Sequence, residues 1–165
     1  MKILTVVLLL IVAFAALTWW KAARHEARAE AAYPPLGRIV DVGGVPVHAL
    51  QLGAGPDVVL IHGASGNLRD FSFDLMARLA EDYRVTAFDR PGLGYTGRLD
   101  RDGASIFEQA DLLVAAAAEL GVDRPIVVGH SYGGAVALAW ATRHPGALSA
   151  LVPLAAASNP WEGPL

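Results

Sequence analysis

The sequence predicts an α/β fold: a three-layer sandwich on a mostly parallel central sheet, preceded by an apolar N-terminal helix. Three observations carry the prediction. Short apolar runs bounded by turn residues recur at 57–61, 84–88 and 125–129, and such runs suit strands buried on both faces of a sheet. Helical apolar stripes separate them, the alternation expected of parallel strand–helix–strand units. Glycine-rich turns directly follow two of the runs, at 62–66 and 129–134, and loops leaving parallel strands share one edge of the sheet.

In chain order, Ile3 through Trp20 hold no charged residue, and only Thr5 and Thr18 are polar. As a helix this run would be roughly 27 Å long, close to the hydrocarbon thickness of a bilayer. Trp19 and Trp20 suit the headgroup boundary, with Lys21, Arg24 and Arg28 beyond it. The expectation is a transmembrane anchor over residues 1–20, a single span that makes the protein membrane-associated through residues 3–20 in the lipid bilayer. The alternative is a cleaved signal segment, with Ala13-Phe14-Ala15 or Ala27-Arg28-Ala29 as the cleavage site, which leaves a secreted or periplasmic domain. Residues 21–36 read as a linker, an Ala-rich charged helical stem stopped by Pro34-Pro35.

Residues 37–165 form the globular part. The β-rich runs 37–42 and 45–52 flank Gly43-Gly44 and predict a hairpin. A buried strand follows at 57–61. Phe71, Phe73, Leu75, Met76, Leu79 and Ala80 predict one helical stripe ending near Tyr83. Then come a strand at 84–88, a turn-rich stretch at 89–96, and a helix over 105–120 with Ile106, Ala110, Leu113, Val114, Ala117 and Leu120 on one side. A strand at 125–129 leads into a helix that Ser131 opens and that runs to about His144. The last strand, 150–154, contains Pro153, which cannot donate to a ladder and points to an edge or a bulge.

Composition excludes several classes of function. The formal net charge is −3 and the basic residues form no stripe, so nucleic acid is not an expected partner. With no cysteine, disulfides, thiolate metal sites and a cysteine nucleophile are ruled out. No metal site or organic cofactor is implied.

The chemistry lies in two turns. Gly129-His130-Ser131-Tyr132-Gly133 matches G-x-S-x-G between an apolar strand and a helix-forming run. A serine on so sharp a turn occupies strained backbone angles and presents its Oγ above the sheet, making Ser131 the expected nucleophile. The neighbours two before and two after crowd the turn, hence glycine at 129 and 133. His62-Gly63-Ala64 closes the earlier strand on the same sheet edge. That loop can turn a backbone N–H towards the place where a reacting carbonyl oxygen becomes negative. The Tyr132 N–H, at a helix start whose dipole favours an anion, would be the second donor.

With these motifs, residues 37–154 resemble the first six strands of the α/β-hydrolase family. The loop Asp89-Arg90-Pro91-Gly92-Leu93-Gly94 is similar to that family's D-x-x-G-x-G turn, although Tyr95-Thr96 stands where a serine is frequent. The resemblance implies that Ala64 supplies the oxyanion N–H beside that of Tyr132 and that His62 orients the loop. It also implies a serine hydrolase acting on a small-molecule substrate, a carboxylic ester first. A serine nucleophile argues against epoxide hydrolase and haloalkane dehalogenase relatives, which use Asp. Family members place the triad acid and histidine after the sixth strand, so the expectation is a chain truncated before both and inactive alone.

The histidines present are expected in other roles: His130 packed away from the Oγ, His144 as a helix-end cation or a surface residue, His25 and His48 without partners. Asp89 is expected to stabilise its turn. The rival from another class is a non-catalytic, membrane-tethered binding module that keeps the fold without the chemistry.

Overall fold

The computed structural model describes residues 2–101 and 103–158; the end of the expected domain, 159–165, lies outside the described residues. The chain divides into two compact units, one up to Pro35 and one from Leu36. In the first, helix α1 (Lys2–Ala32) runs without a break through both the apolar segment and the charged stem. Over Ile3–Ala32 it is long and apolar enough to cross a membrane, a test that a signal sequence also passes.

The second unit is a six-stranded sheet. A hairpin of β1 (Arg38–Val42) and β2 (Val45–Leu52) precedes β3 (Asp57–Ile61). Two short helices, α2 (Arg69–Ser72) and α3 (Leu75–Leu79), lead to β4 (Arg84–Phe88). Helix α4 (Ile106–Glu119) connects to β5 (Ile126–His130), and α5 (Tyr132–Arg143) connects to β6 (Ala150–Leu154). The strand order is β1-β2-β4-β3-β5-β6. β4, β3, β5 and β6 are parallel, and β2 runs against both of its neighbours. The sheet is therefore mixed at its N-terminal edge, because a hairpin can only return antiparallel.

Alternation along β3 divides the core in two. Val59 and Ile61 join Phe88, Val127 and the inward sides of α4 and α5, including Leu113, Val136 and Trp140. Val58 and Leu60 point the other way, onto Val85, Ala87, Phe71 and Met76. Ser105 caps α4 in a reciprocal box with Glu108. At the opposite end of the sheet, Asp57 takes two bonds from Arg84, at 2.6 and 2.7 Å, and one from the Asp123 N–H at 2.9 Å. This ties the starts of β3 and β4 to the turn before β5.

One helical stripe was expected over 71–80, and two short helices are found. Phe71 and Met76 both face the sheet, yet residues five apart on one helix stand about 140° apart. A break at Phe73 and Asp74 restores the alignment, and Phe73 is left 85% exposed. Pro153 lies in β6, the terminal strand of the described sheet, where a missing N–H is tolerated.

Candidate active site

The connection from β3 to β4 passes over one face of the sheet, through α2 and α3. The connection from β5 to β6 passes over the other, through α5. Adjacent strands whose connections part in this way open a crevice at their C-terminal ends, the usual ligand position in such sheets. β3 and β5 are paired with Ile61 opposite Gly129, so the crevice lies between the 62–67 loop and Ser131.

Ser131 stands between β5 and α5 at φ 52° and ψ −118°, a region costly for a residue with a Cβ. The turn is held by its backbone. The Ser131 N–H donates to Leu154 O at 2.9 Å, and its carbonyl accepts from Gly134 and Ala157 N–H at 3.0 Å each. A Cβ on Gly129 would collide with the Gly133 carbonyl, and one on Gly133 with the carbonyls of Ile61 and His62. Both positions therefore require glycine through close backbone approach.

The second loop lies directly against this turn: a Cβ built on Gly63 would stand 3.2 Å from Ser131 Cβ. Neither the Ala64 nor the Tyr132 N–H finds a backbone acceptor among the described residues. Each of the two loops meeting at the serine thus carries a backbone N–H with no backbone acceptor among the described residues. Ser131 Oγ likewise caps no helix N–H.

His62 is fully buried and links the loops. Its Nε2 accepts the Arg90 backbone N–H at 2.9 Å, so Nδ1 carries the proton and donates to Gly63 O at 2.9 Å. Burial and the nearby Arg90 charge lower its pKa against opposing contributions from Gly63 and the neighbouring carboxylates, favouring the neutral ring. Arg90, not singled out from the sequence, is the largest omission. An arginine between Asp89 and Pro91 reads as a solvent-facing loop cation, but it is 4% exposed. It donates from Nε to His62 O at 3.0 Å, from Nη2 to Gly63 O at 2.8 Å and from Nη1 to Gln109 Oε1 at 2.9 Å. Its guanidinium carbon also lies 4.7 Å from the centre of the Tyr132 ring.

Two histidine expectations are corrected. His48 has partners: Nδ1 lies 2.6 Å from Asp89 Oδ2, and Nε2 faces Leu36 O. The long-range pairing of β2 with β4 makes that contact, and no local signal announces it. His130 is exposed instead of packed, because its position at the end of β5 turns the ring out beside Gly63. His144 follows α5 and pairs with Asp111 at 2.7 Å. Asp89 anchors its turn, accepting from Leu68 N–H at 2.7 Å and Tyr95 N–H at 2.9 Å. No cluster of His, Cys, Asp or Glu among the described residues is placed to hold a metal ion.

A family model described as alpha/beta hydrolase fold matches residues 56–164. The chain is 33% identical over 129 residues to a 2-hydroxy-6-oxo-2,4-heptadienoate hydrolase of Pseudomonas putida, covering 77% of this chain and 47% of that protein. A solved meta-cleavage product hydrolase from Pseudomonas fluorescens superposes with a TM-score of 0.70 at 26% identity, over 76% of this chain and 47% of the other. An esterase from Exiguobacterium antarcticum gives a TM-score of 0.67 at 26% identity, over 74% and 46%. The chain spans about half the length of these three relatives.

Proposed function

Since the chain belongs to the α/β-hydrolase fold family, we propose that it carries Ser131 as the nucleophile of a hydrolase acting on a small-molecule carbonyl compound, a carboxylic ester first. The observation that carries this is the pairing of a strained serine with two unbonded backbone N–H groups at a sheet switch point. Ser131 Oγ attacks the carbonyl carbon, and the carbonyl oxygen gains negative charge beside the Ala64 and Tyr132 N–H groups. Collapse expels the alcohol with a proton and leaves an acyl-enzyme. Water then adds, releasing the acid and restoring the serine.

The base is proposed to come from outside the described strands. Both ring nitrogens of His62 are occupied, His48 is engaged with Asp89 and Leu36, His144 with Asp111, and His130 makes no hydrogen bond to Ser131 Oγ. By family resemblance the histidine and its acid belong to sequence that follows β6. The likeness to a 2-hydroxy-6-oxo-dienoate hydrolase favours a second substrate reading. Such a compound is a ketone without an ester bond, so its hydrolysis breaks a carbon–carbon bond: one fragment leaves as the acid and the other takes the proton.

A fluorophosphonate probe tests the nucleophile, applied to the chain joined to a C-terminal half of family length and followed by peptide mapping. The label is expected on the peptide containing Ser131, and label on another serine overturns the assignment. For the N-terminal unit, we propose that residues 3–20 hold the protein in a membrane, on the strength of an uncharged helix ending in Trp19 and Trp20. Alkaline carbonate should leave the intact chain in the pellet and extract a form that begins at Pro34. A mature N-terminus near residue 16 or 30 would identify a cleaved signal instead.

A further inference from the structure

The peptide joining Gly63 to Ala64 is trans, as all are among the described residues, so its C=O and N–H point in opposite directions. Its carbonyl is held on the buried side by two donors, Arg90 Nη2–H at 2.8 Å and His62 Nδ1–H at 2.9 Å. Both lone pairs of Gly63 O are thereby filled. The N–H end of the same peptide belongs to Ala64, which is exposed while Gly63 is buried.

The guanidinium that grips this carbonyl also lies against the Tyr132 ring, so it touches both loops that carry an unbonded N–H. Its remaining side-chain bonds go to His62 O and Gln109 Oε1. Among the described residues no carboxylate forms an ion pair with it. Burial pulls the Arg90 guanidinium below the usual arginine range, yet arginine keeps its charge in proteins. A buried cation without a counter-ion is expensive, and it is retained where its field is used. Here it stands behind a peptide dipole, with the positive end of that dipole, the Ala64 N–H, pointing away from it on the exposed side. Hydrogen bonds to a carbonyl polarise the peptide and strengthen its N–H as a donor.

We propose that Arg90 is the positioning residue of this site, aiming the Ala64 N–H at the developing oxyanion and strengthening it through the Gly63 carbonyl. The inference rests on the reading of Ser131 as nucleophile. Arginine suits the task because its rigid fork reaches the His62 and Gly63 carbonyls together, whereas lysine offers a single ammonium.

The test uses the chain joined to a C-terminal half of family length, in detergent micelles, as wild type, Arg90→Met and Arg90→Lys, with two readouts. The first is the amide ¹⁵N resonance of Ala64, compared with those of Val127 and Val136 in the core. It should move upfield in Arg90→Met and by less in Arg90→Lys, with both core amides in place. The second is fluorophosphonate labelling of Ser131. Its maximal rate should fall on the order of tenfold to a hundredfold in Arg90→Met with the probe's half-saturating concentration unchanged, somewhat less than the loss of a whole oxyanion donor. If Arg90→Met does not fold, Arg90→Lys alone decides both readouts. An Ala64 resonance that stays in place, or a labelling rate equal to wild type in a folded variant, overturns the proposal. Wild-type label on a serine other than Ser131 would instead overturn the nucleophile reading, and the Ala64 resonance would still decide whether Arg90 orients that peptide.

Discussion

Ser131→Ala, made in the chain joined to a C-terminal half of family length, is expected to abolish phosphonate labelling and to cut p-nitrophenyl ester turnover by on the order of 10⁶. The residual rate would come from the N–H groups of Ala64 and Tyr132, which the substitution leaves in place. Stability separates this effect from a folding defect. The strain at φ 52° comes from having a Cβ there, and Ala keeps the Cβ, so Ser131→Ala should unfold at the same urea concentration as wild type. Ser131→Gly removes the Cβ and should gain on the order of 1 kcal/mol, the relieved strain less the added entropy of the unfolded chain. A glycine variant that is inactive and more stable is the signature of a residue held in strain for chemistry. An alanine variant that keeps its label or its turnover would end this account of the site.

Asp89→Ala should cost about 3–5 kcal/mol, a large part of the stability of an ordinary domain. Asp89 is 1% exposed, and its carboxylate accepts from Leu68 and Tyr95 N–H while facing His48 Nδ1. Alanine would leave these donors buried and unpaired, at about 1–3 kcal/mol each before relaxation. Asp89→Asn keeps one acceptor oxygen and should cost about 2 kcal/mol. Burial pushes the Asp89 carboxyl up, but the bond to His48 and those from Leu68 and Tyr95 outweigh it and hold it below the usual carboxylate range. A carboxylate lowered on folding adds stability that is complete above its unfolded value of about 4 and is lost as pH falls through the folded one. The margin of wild type over Asp89→Asn should therefore be constant at neutral pH and shrink below about pH 5. Asp57, pushed up by burial but held lower by Arg84 and the Asp123 N–H, is common to both proteins and cancels in the difference. Urea unfolding midpoints from pH 7 to 3 measure the margin, and one that stays level throughout refutes this role for Asp89.

What the sequence determined by itself was everything that local chemistry specifies. The short, mainly apolar runs at 57–61, 84–88 and 125–129 became parallel strands because such runs suit burial on both faces of a sheet. Gly43-Gly44 specified a hairpin, and G-x-S-x-G placed a serine on a strand-to-helix turn, because a tight turn needs its glycines at fixed offsets. The tertiary structure alone decided the break at Phe73 and Asp74, which depends on the sheet that Phe71 and Met76 must both reach. It alone joined His48 to Asp89, and it turned Arg90 from a loop cation into a buried clamp on the His62 and Gly63 carbonyls. These contacts join residues roughly 25 to 40 positions apart and follow from strand order. Strand order is settled by how the helices cover the sheet, and no spacing within the sequence records it.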